Sequence, residues 1–218
     1  MAMKKEEVLS RIREIGLLPV LRAQSIDEAV ALAEAIEAGG VRALEVTMTV
    51  PGALEVIRQL ARETKGRILI GAGTVLDAET ARACMLAGAE FIVSPALNLK
   101  TIEICRRYGV AVMPGALTPT EVVTAWEAGA DVVKVFPCSS LGGASYLKAL
   151  KGPLPQIELI PTGGVSLATA AEFLAAGAFA LGVGGDLVNS KAIAEGKPEI
   201  VTETARKYVA IIAKYRAG

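Results

Sequence analysis

The chain has 218 residues, 23 of them basic and 23 acidic for a formal net charge of +0, and 52% are apolar. That length suffices for one large domain with a substantial core, and the charge balance leaves no electrostatic footprint for nucleic acid or an anionic membrane. There is no histidine, which removes the commonest general base, the serine triad and most zinc sites.

Mean hydropathy is +0.46, high for a soluble monomer, so part of the apolar excess is expected to cover a subunit interface. No apolar run is long enough to span a bilayer. The segment Met1–Glu7 enters a charged amphipathic pattern without the apolar stretch of a signal peptide, which points to the cytoplasm. Cys84, Cys105 and Cys138 form an odd set without CxxC spacing and read as free thiols of a reducing compartment. The only amides are Gln24, Gln59, Gln156, Asn98 and Asn189; such depletion is one feature of heat-adapted proteins.

A helix is expected over Lys4–Ile15, then a strand over Leu17–Arg22 that ends on a guanidinium. Arg22 could grip a carboxylate or phosphate bidentately, or form a rim salt bridge. Ser25 and Glu28 fit a capping box opening a helix to Ala38. The strand Val41–Thr47 is interrupted by Glu45, and a carboxylate near the end of a buried strand needs a partner or a task. The strand Arg67–Gly71 runs into Ala72-Gly73-Thr74, followed by a helix over Ala78–Ala87. The strands Phe91–Ser94 and Val110–Met113 end on Pro95 and on Pro114-Gly115. Thr118-Pro119 supplies an N-cap and an N1 proline for a helix to Ala128, in which Trp126 reads as a packing residue.

The strand Asp131–Phe136 is apolar on both faces except for Lys134, and such strands belong to buried parallel sheets. Burial penalises an ammonium, and an unprotonated amine attacks carbonyls to form a Schiff base. The competing reading is a lysine whose stem packs while its head snorkels to the strand end. Paired with Glu45, it would offer a nucleophilic amine beside a proton acceptor; the two would titrate as a coupled unit. The strand Ile157–Pro161 leads into Thr162-Gly163-Gly164, a helix over Leu167–Ala176 follows, and the strand Phe179–Val183 leads into Gly184-Gly185-Asp186. Glycine lets a phosphate approach backbone N–H groups, and a following helix N-terminus favours the anion, although a bare Gly-Gly is also an ordinary tight turn.

Gly16, Gly39, Gly66, Gly88, Gly109, Gly129, Gly152 and Gly177 recur every 20 to 27 residues, the size of one αβ unit, each read as the left-handed residue ending a helix. Eight strands alternating with helices predict a (β/α)8 TIM barrel with an extra N-terminal helix, one domain over 1–218. A doubly wound open sheet is the alternative; no GxGxxG follows the first strand. In a barrel, chemistry gathers at the strand C-terminal ends, and loops seven and eight often hold phosphate.

The segments Leu18–Arg22, Leu44–Thr47, Gly71–Val75, Ser94-Pro95, Met113–Gly115, Lys134–Pro137 and Pro161–Gly164 together resemble the 2-keto-3-deoxy-6-phosphogluconate aldolase / 4-hydroxy-2-oxoglutarate aldolase family. The resemblance implies a homotrimeric barrel that forms a Schiff base on Lys134 without cofactor or metal, with Glu45 as proton shuttle. It places Arg22, Thr47, Thr74, Pro95 and Phe136 against a keto-acid substrate, and Thr162, Gly163, Gly164, Gly184 and Gly185 around phosphate. Thr49 stands where some members carry Arg, and Asp186 where some carry Ser. The implied reaction is cleavage of 2-keto-3-deoxy-6-phosphogluconate to pyruvate and glyceraldehyde 3-phosphate. The alternatives are 4-hydroxy-2-oxoglutarate cleavage to pyruvate and glyoxylate, a metal-dependent barrel epimerase, and a non-catalytic barrel that binds a phosphate ligand.

Overall fold

The computed structural model describes residues 3–217; Met1, Ala2 and Gly218 of the expected 1–218 domain lie outside the described residues. Helices and strands alternate as α1 (Lys5–Ile15), β1 (Leu17–Leu21), α2 (Ile26–Ala38), β2 (Ala43–Thr47), α3 (Ala53–Thr64) and β3 (Leu69–Gly73). Next come α4 (Ala78–Ala87), β4 (Phe91–Val93), α5 (Leu99–Tyr108), β5 (Ala111–Met113), β6 (Gly115–Ala116) and α6 (Pro119–Glu127). The chain continues through β7 (Val133–Val135), α7 (Ala144–Lys151), β8 (Leu159–Pro161), α8 (Ala170–Ala175), β9 (Leu181–Val183), α9 (Ser190–Ala194) and α10 (Pro198–Ala217).

All pairings are parallel. Six strands form a curled sheet in the order β5-β4-β3-β2-β1-β9, and three form a second in the order β6-β7-β8. Neighbours are consecutive in the chain and the last strand lies beside the first, whereas a doubly wound sheet reverses its order at a switch point. All eight expected strands overlap an observed one. The ninth arises because Pro114 splits the fifth: it has no N–H to donate, yet its carbonyl accepts from Lys134 N–H at 2.9 Å. Between the sheets Thr162 bridges Gly182.

Each strand is buried on both sides, and its side chains alternate between two cores. Leu17, Leu44 and Val133 face an outer cluster with the helices, whereas Leu18, Ala43 and Val132 face an inner cluster with Leu69, Phe91 and Met113. Helix α1 supplies Val8 and Ile12 to the inner cluster, each worth roughly 1.5–3 kcal/mol of apolar burial. Lys5 Nζ meets Asp131 Oδ1 at 2.8 Å, and Asp131 Oδ2 accepts from Val112 N–H at 3.0 Å. The helix is thereby tied to the base of the sheets.

Several local expectations are corrected. Gly39 and Gly152 are not left-handed (φ −80° and −54°); Gly40 takes the left-handed turn after Gly39, at φ 91°. Trp126 is 43% exposed and does not pack as expected. The Ser25 cap forms, but Glu28 reaches Gln24 N–H instead of closing the box on Ser25; the full box occurs at Thr118 and Glu121. The helix expected from Leu167 begins at Ala170, because the Thr169 hydroxyl captures Ser166 N–H at 2.9 Å and offers the backbone an alternative to helix. Two of the few amides, Asn98 and Asn189, serve as N-caps. Among the described residues no helix is long and apolar enough to cross a membrane.

Asp77 caps α4 by accepting from Thr80 N–H at 2.6 Å. The backbone N–H and then the side chain of Thr80 hold its carboxyl below the ordinary 3.8. A lowered carboxyl contributes stability that is complete above the unfolded value and lost as pH falls through the folded one. Asp77→Ala is expected to cost about 1 kcal/mol at pH 7. In urea titrations the gap to wild type should close below pH 3.8; a gap independent of pH would refute the cap.

Candidate active site

Glu45 lies two residues beyond Ala43 on β2, and Lys134 two beyond Val132 on β7, so the period of two puts both on the inner face. They are 1% and 5% exposed. Lys134 Nζ stands 3.6 Å from Glu45 Oε1, and that oxygen has no hydrogen-bond partner among the described residues. At this 3.6 Å separation the attraction is roughly 4–5 kcal/mol at an effective dielectric of about 20. Desolvation costs several kcal/mol for each ion. The pair is therefore poor cement, and its value lies in chemistry: an amine and a carboxylate excluded from bulk water. The Phe136 ring centre lies 5.3 Å from Nζ and shields the amine on one side.

Glycine makes room for this pair. A Cβ on Gly73 would sit 2.0 Å from Glu45 Oε1, and one on Gly115 would sit 2.2 Å from the Pro95 carbonyl oxygen. Next to Gly73, Thr74 is held at φ 57°, a left-handed conformation that costs a β-branched residue of the order of 1–3 kcal/mol. Thr47 is buried at the end of β2, where its hydroxyl donates to the Leu21 carbonyl at 3.0 Å and contacts the Thr49 hydroxyl at 2.7 Å. Thr47 thus serves the strand junction first.

Beyond Phe136 opens a cleft of about 420 Å³, lined by Arg22, Phe136, Thr162, Gly163, Gly164, Gly184 and Gly185. Arg22 lies just past β1 and is exposed. The structure thus gathers Arg22 with the glycine turns, and Lys134 with Glu45; Phe136 adjoins both groups. Thr74 and Pro95 follow β3 and β4 without lining the cleft.

Gly163 and Gly164 adopt φ 89° and 79°, where a side chain would be strained. At Gly184 and Gly185 an added Cβ would meet nothing within 4 Å. Packing therefore does not require glycine there, and its effect is to keep the cleft open. The N–H groups of Gly164, Val165 and Gly185 donate to no protein acceptor among the described residues, so a set of backbone donors is available to an anion. The expected help from a helix N-terminus is absent, since α8 starts six residues after Gly164 and is itself only six residues long. Asp186 is exposed and itself lines the cleft, while its Oδ2 accepts from Leu167 N–H at 3.2 Å and from the Tyr208 hydroxyl at 2.5 Å.

Cys138 is no competing nucleophile. Burial pushes its thiol up to about 11, and Cys84 and Cys105 rise to about 11 and about 12 for the same first reason. Sequence reasoning missed Gly73, Gly182 and Tyr208. Gly73 had a signal: a glycine inside a strand marks close approach by another group. Tyr208 had none.

The chain matches the family model described as Aldolase: KDPG and KHG aldolase over residues 8–204. It is 36% identical to the 2-dehydro-3-deoxy-phosphogluconate aldolase of Treponema pallidum, over 94% of this chain and 96% of that one. It is 35% identical to the KHG/KDPG aldolase of Escherichia coli, over 88% and 90%. The KDPG aldolase of Legionella pneumophila, solved with pyruvate as a covalent carbinolamine intermediate, superposes with a TM-score of 0.84 at 28% identity, over 91% of this chain and 96% of that one.

The Gly73 clearance is testable by stability alone. Gly73→Ala should destabilise by about 1–3 kcal/mol, the usual cost of overpacking. Combined with Glu45→Ala, it should cost at least about 1 kcal/mol less than the sum of the single changes. Additive losses in urea unfolding would show that the two residues do not compete for space.

Proposed function

The chain belongs to the KDPG and KHG aldolase family, and we propose that it reversibly cleaves 2-keto-3-deoxy-6-phosphogluconate to pyruvate and glyceraldehyde 3-phosphate, the cleavage step of the Entner-Doudoroff pathway. The observation that carries this reading is the water-excluded Lys134–Glu45 pair, 3.6 Å apart, beside a cleft lined by unpaired backbone donors.

Lys134 adds to the C2 ketone, and the carbinolamine loses water to give an iminium. The iminium receives the electron pair of the breaking C3–C4 bond. Glu45, through a water, takes the proton of the C4 hydroxyl as the aldehyde forms, and returns a proton to C3 of the enamine. Water then releases pyruvate and frees the amine. Covalent catalysis divides one difficult step into easier ones. Phe136 and Thr74 shape the keto-acid end together with Pro95, while Thr162 and the glycines receive the phosphate beside Arg22. Asp186 lines the cleft, but its Oδ2 is engaged by Tyr208 and Leu167, which lessens its repulsion of a phosphate; 4-hydroxy-2-oxoglutarate cleavage uses the same Lys134–Glu45 pair.

The same proposal takes the two sheets as one closed (β/α)8 barrel with α1 as the extra helix, forming a single domain. Support comes from the β1–β9 pairing, the Thr162–Gly182 bridge and the continuity of β5 into β6 across Pro114. A cytoplasmic homotrimer completes the reading, with Leu86, Leu99 and Trp126 as large exposed apolar side chains available for an interface.

Pyruvate with borohydride should add one covalent adduct, mapped by mass to the Lys134 peptide and lost in Lys134→Ala; an adduct at Lys148 or Lys151 would overturn the assignment. Glu45→Gln should reduce turnover about 10²–10⁴-fold while keeping part of the trapping, whereas near-normal turnover would move the proton role elsewhere. Light scattering at micromolar concentration should give three chains, and a monomer would remove the interface.

A further inference from the structure

Asp186 joins three parts of the fold through one oxygen. It directly follows Gly184-Gly185, and its Oδ2 accepts from the N–H of Leu167, three residues past Gly164, and from the hydroxyl of Tyr208 on α10. Tyr208 is 0% exposed and belongs to the outer core cluster. Its phenol is pushed up by burial and then by the Asp186 bond, so it stays protonated and remains a donor. Among the described residues Asp186 is its one hydrogen-bond partner. A buried phenol without an acceptor would cost the desolvation of that group, so the carboxylate is held towards α10. A free carboxylate at an anion cleft would instead repel the ligand. Among the described residues the only cation lining the cleft is Arg22.

We propose that Asp186 is a positioning residue that fixes the two glycine turns relative to one another, with Tyr208 as its anchor, and so sets the spacing of the backbone donors that receive the distal phosphate. The inference rests on the aldolase reading above. A negative side chain can then serve an anion site even though it lines the cleft: one of its oxygens is occupied by two donors, and its geometry is what the cleft uses. Without the link, the Thr162–Gly182 bridge still joins the ends of β8 and β9, but the turns beyond it lose a brace and the spacing of the donors on Gly164 and Gly185 is less fixed.

The test compares steady-state cleavage of 2-keto-3-deoxy-6-phosphogluconate and 4-hydroxy-2-oxoglutarate by wild type, Asp186→Ala, Asp186→Asn and Tyr208→Phe. Binding of inorganic phosphate is measured by calorimetry on the same proteins. Asp186→Ala is expected to raise KM for the phosphorylated substrate, and the phosphate Kd, about tenfold, the scale of one charge-assisted hydrogen bond. Its kcat, and KM for the unphosphorylated substrate, should stay within about twofold, because only distal binding is lost. Tyr208→Phe should move the same constants in the same direction by about threefold. Asp186→Asn, whose amide oxygen accepts from the same two donors, should restore them. A lower KM or Kd in Asp186→Ala would overturn the proposal, since it would make the carboxylate a repulsive gate. Equal rises for both substrates would overturn it in favour of a general scaffold role. Should Asp186→Ala fail to fold, Tyr208→Phe supplies the same comparison. A wild type that leaves the phosphorylated substrate intact would overturn the proposed function alone, and the phosphate affinities would still decide the role of Asp186.

Discussion

Everything in the site depends on keeping two charged side chains on the inner face of strands that are otherwise apolar. The attraction between them is too small against desolvation to hold them there, so the strands must do it. Leu44 and Val46 flank Glu45, and Val133 and Val135 flank Lys134; all four are anchored in the outer core. A slip of one residue would send the charges into that core and the aliphatic side chains inward. The apolar neighbours therefore lock the register that sets the 3.6 Å separation. Glycine at 73 completes the arrangement by leaving the carboxylate the volume that a methyl group would fill.

The two halves of the site are built from different materials. The amine end uses side chains in a dry interior, shielded by Phe136. The proposed anion end offers main-chain N–H groups at the rim, where glycines lack the Cβ atoms that would hold a ligand off. Side chains can be tuned by burial and neighbours, whereas backbone donors are set by the path of the chain. On the proposed reading, contacts that brace the turns, such as those of Asp186, bear on binding as the glycines do.

Much of this was legible in the chain. The αβ periodicity shows because glycines and apolar runs punctuate it regularly, and Lys134 and Glu45 stand out as charges inside such runs. What was not legible is either a competition between local bonds or a contact across long sequence distance. Thr169 diverts Ser166 N–H and delays α8; Pro114 divides a strand without ending its direction. Gly39 yields the left-handed turn to Gly40, a choice between neighbours that pattern alone does not make. Trp126 follows the buried Val122 by four residues and still stays exposed. The bond of the Thr47 hydroxyl to the Leu21 carbonyl likewise joins residues 26 apart in the chain. The partner of Asp186 lies on another element, 22 residues along the chain, with no sequence signature to announce it.

The seating of α1 has a kinetic corollary. With Val8 and Ile12 filling the inner base and Lys5 tied to Asp131, the interior is packed on the α1 side of Lys134, and the cleft at the glycine turns lies on the side of Phe136. In the proposed reaction the three-carbon acid is bonded to the amine at the packed end, and the phosphorylated aldehyde occupies the stretch towards the glycine turns. If the glycine side is the way out, that reaction runs single-file: the aldehyde leaves first, and hydrolytic water reaches the bound acid by the side the aldehyde has vacated. In the synthetic direction the order inverts, with the acid obliged to load before the aldehyde can follow it in.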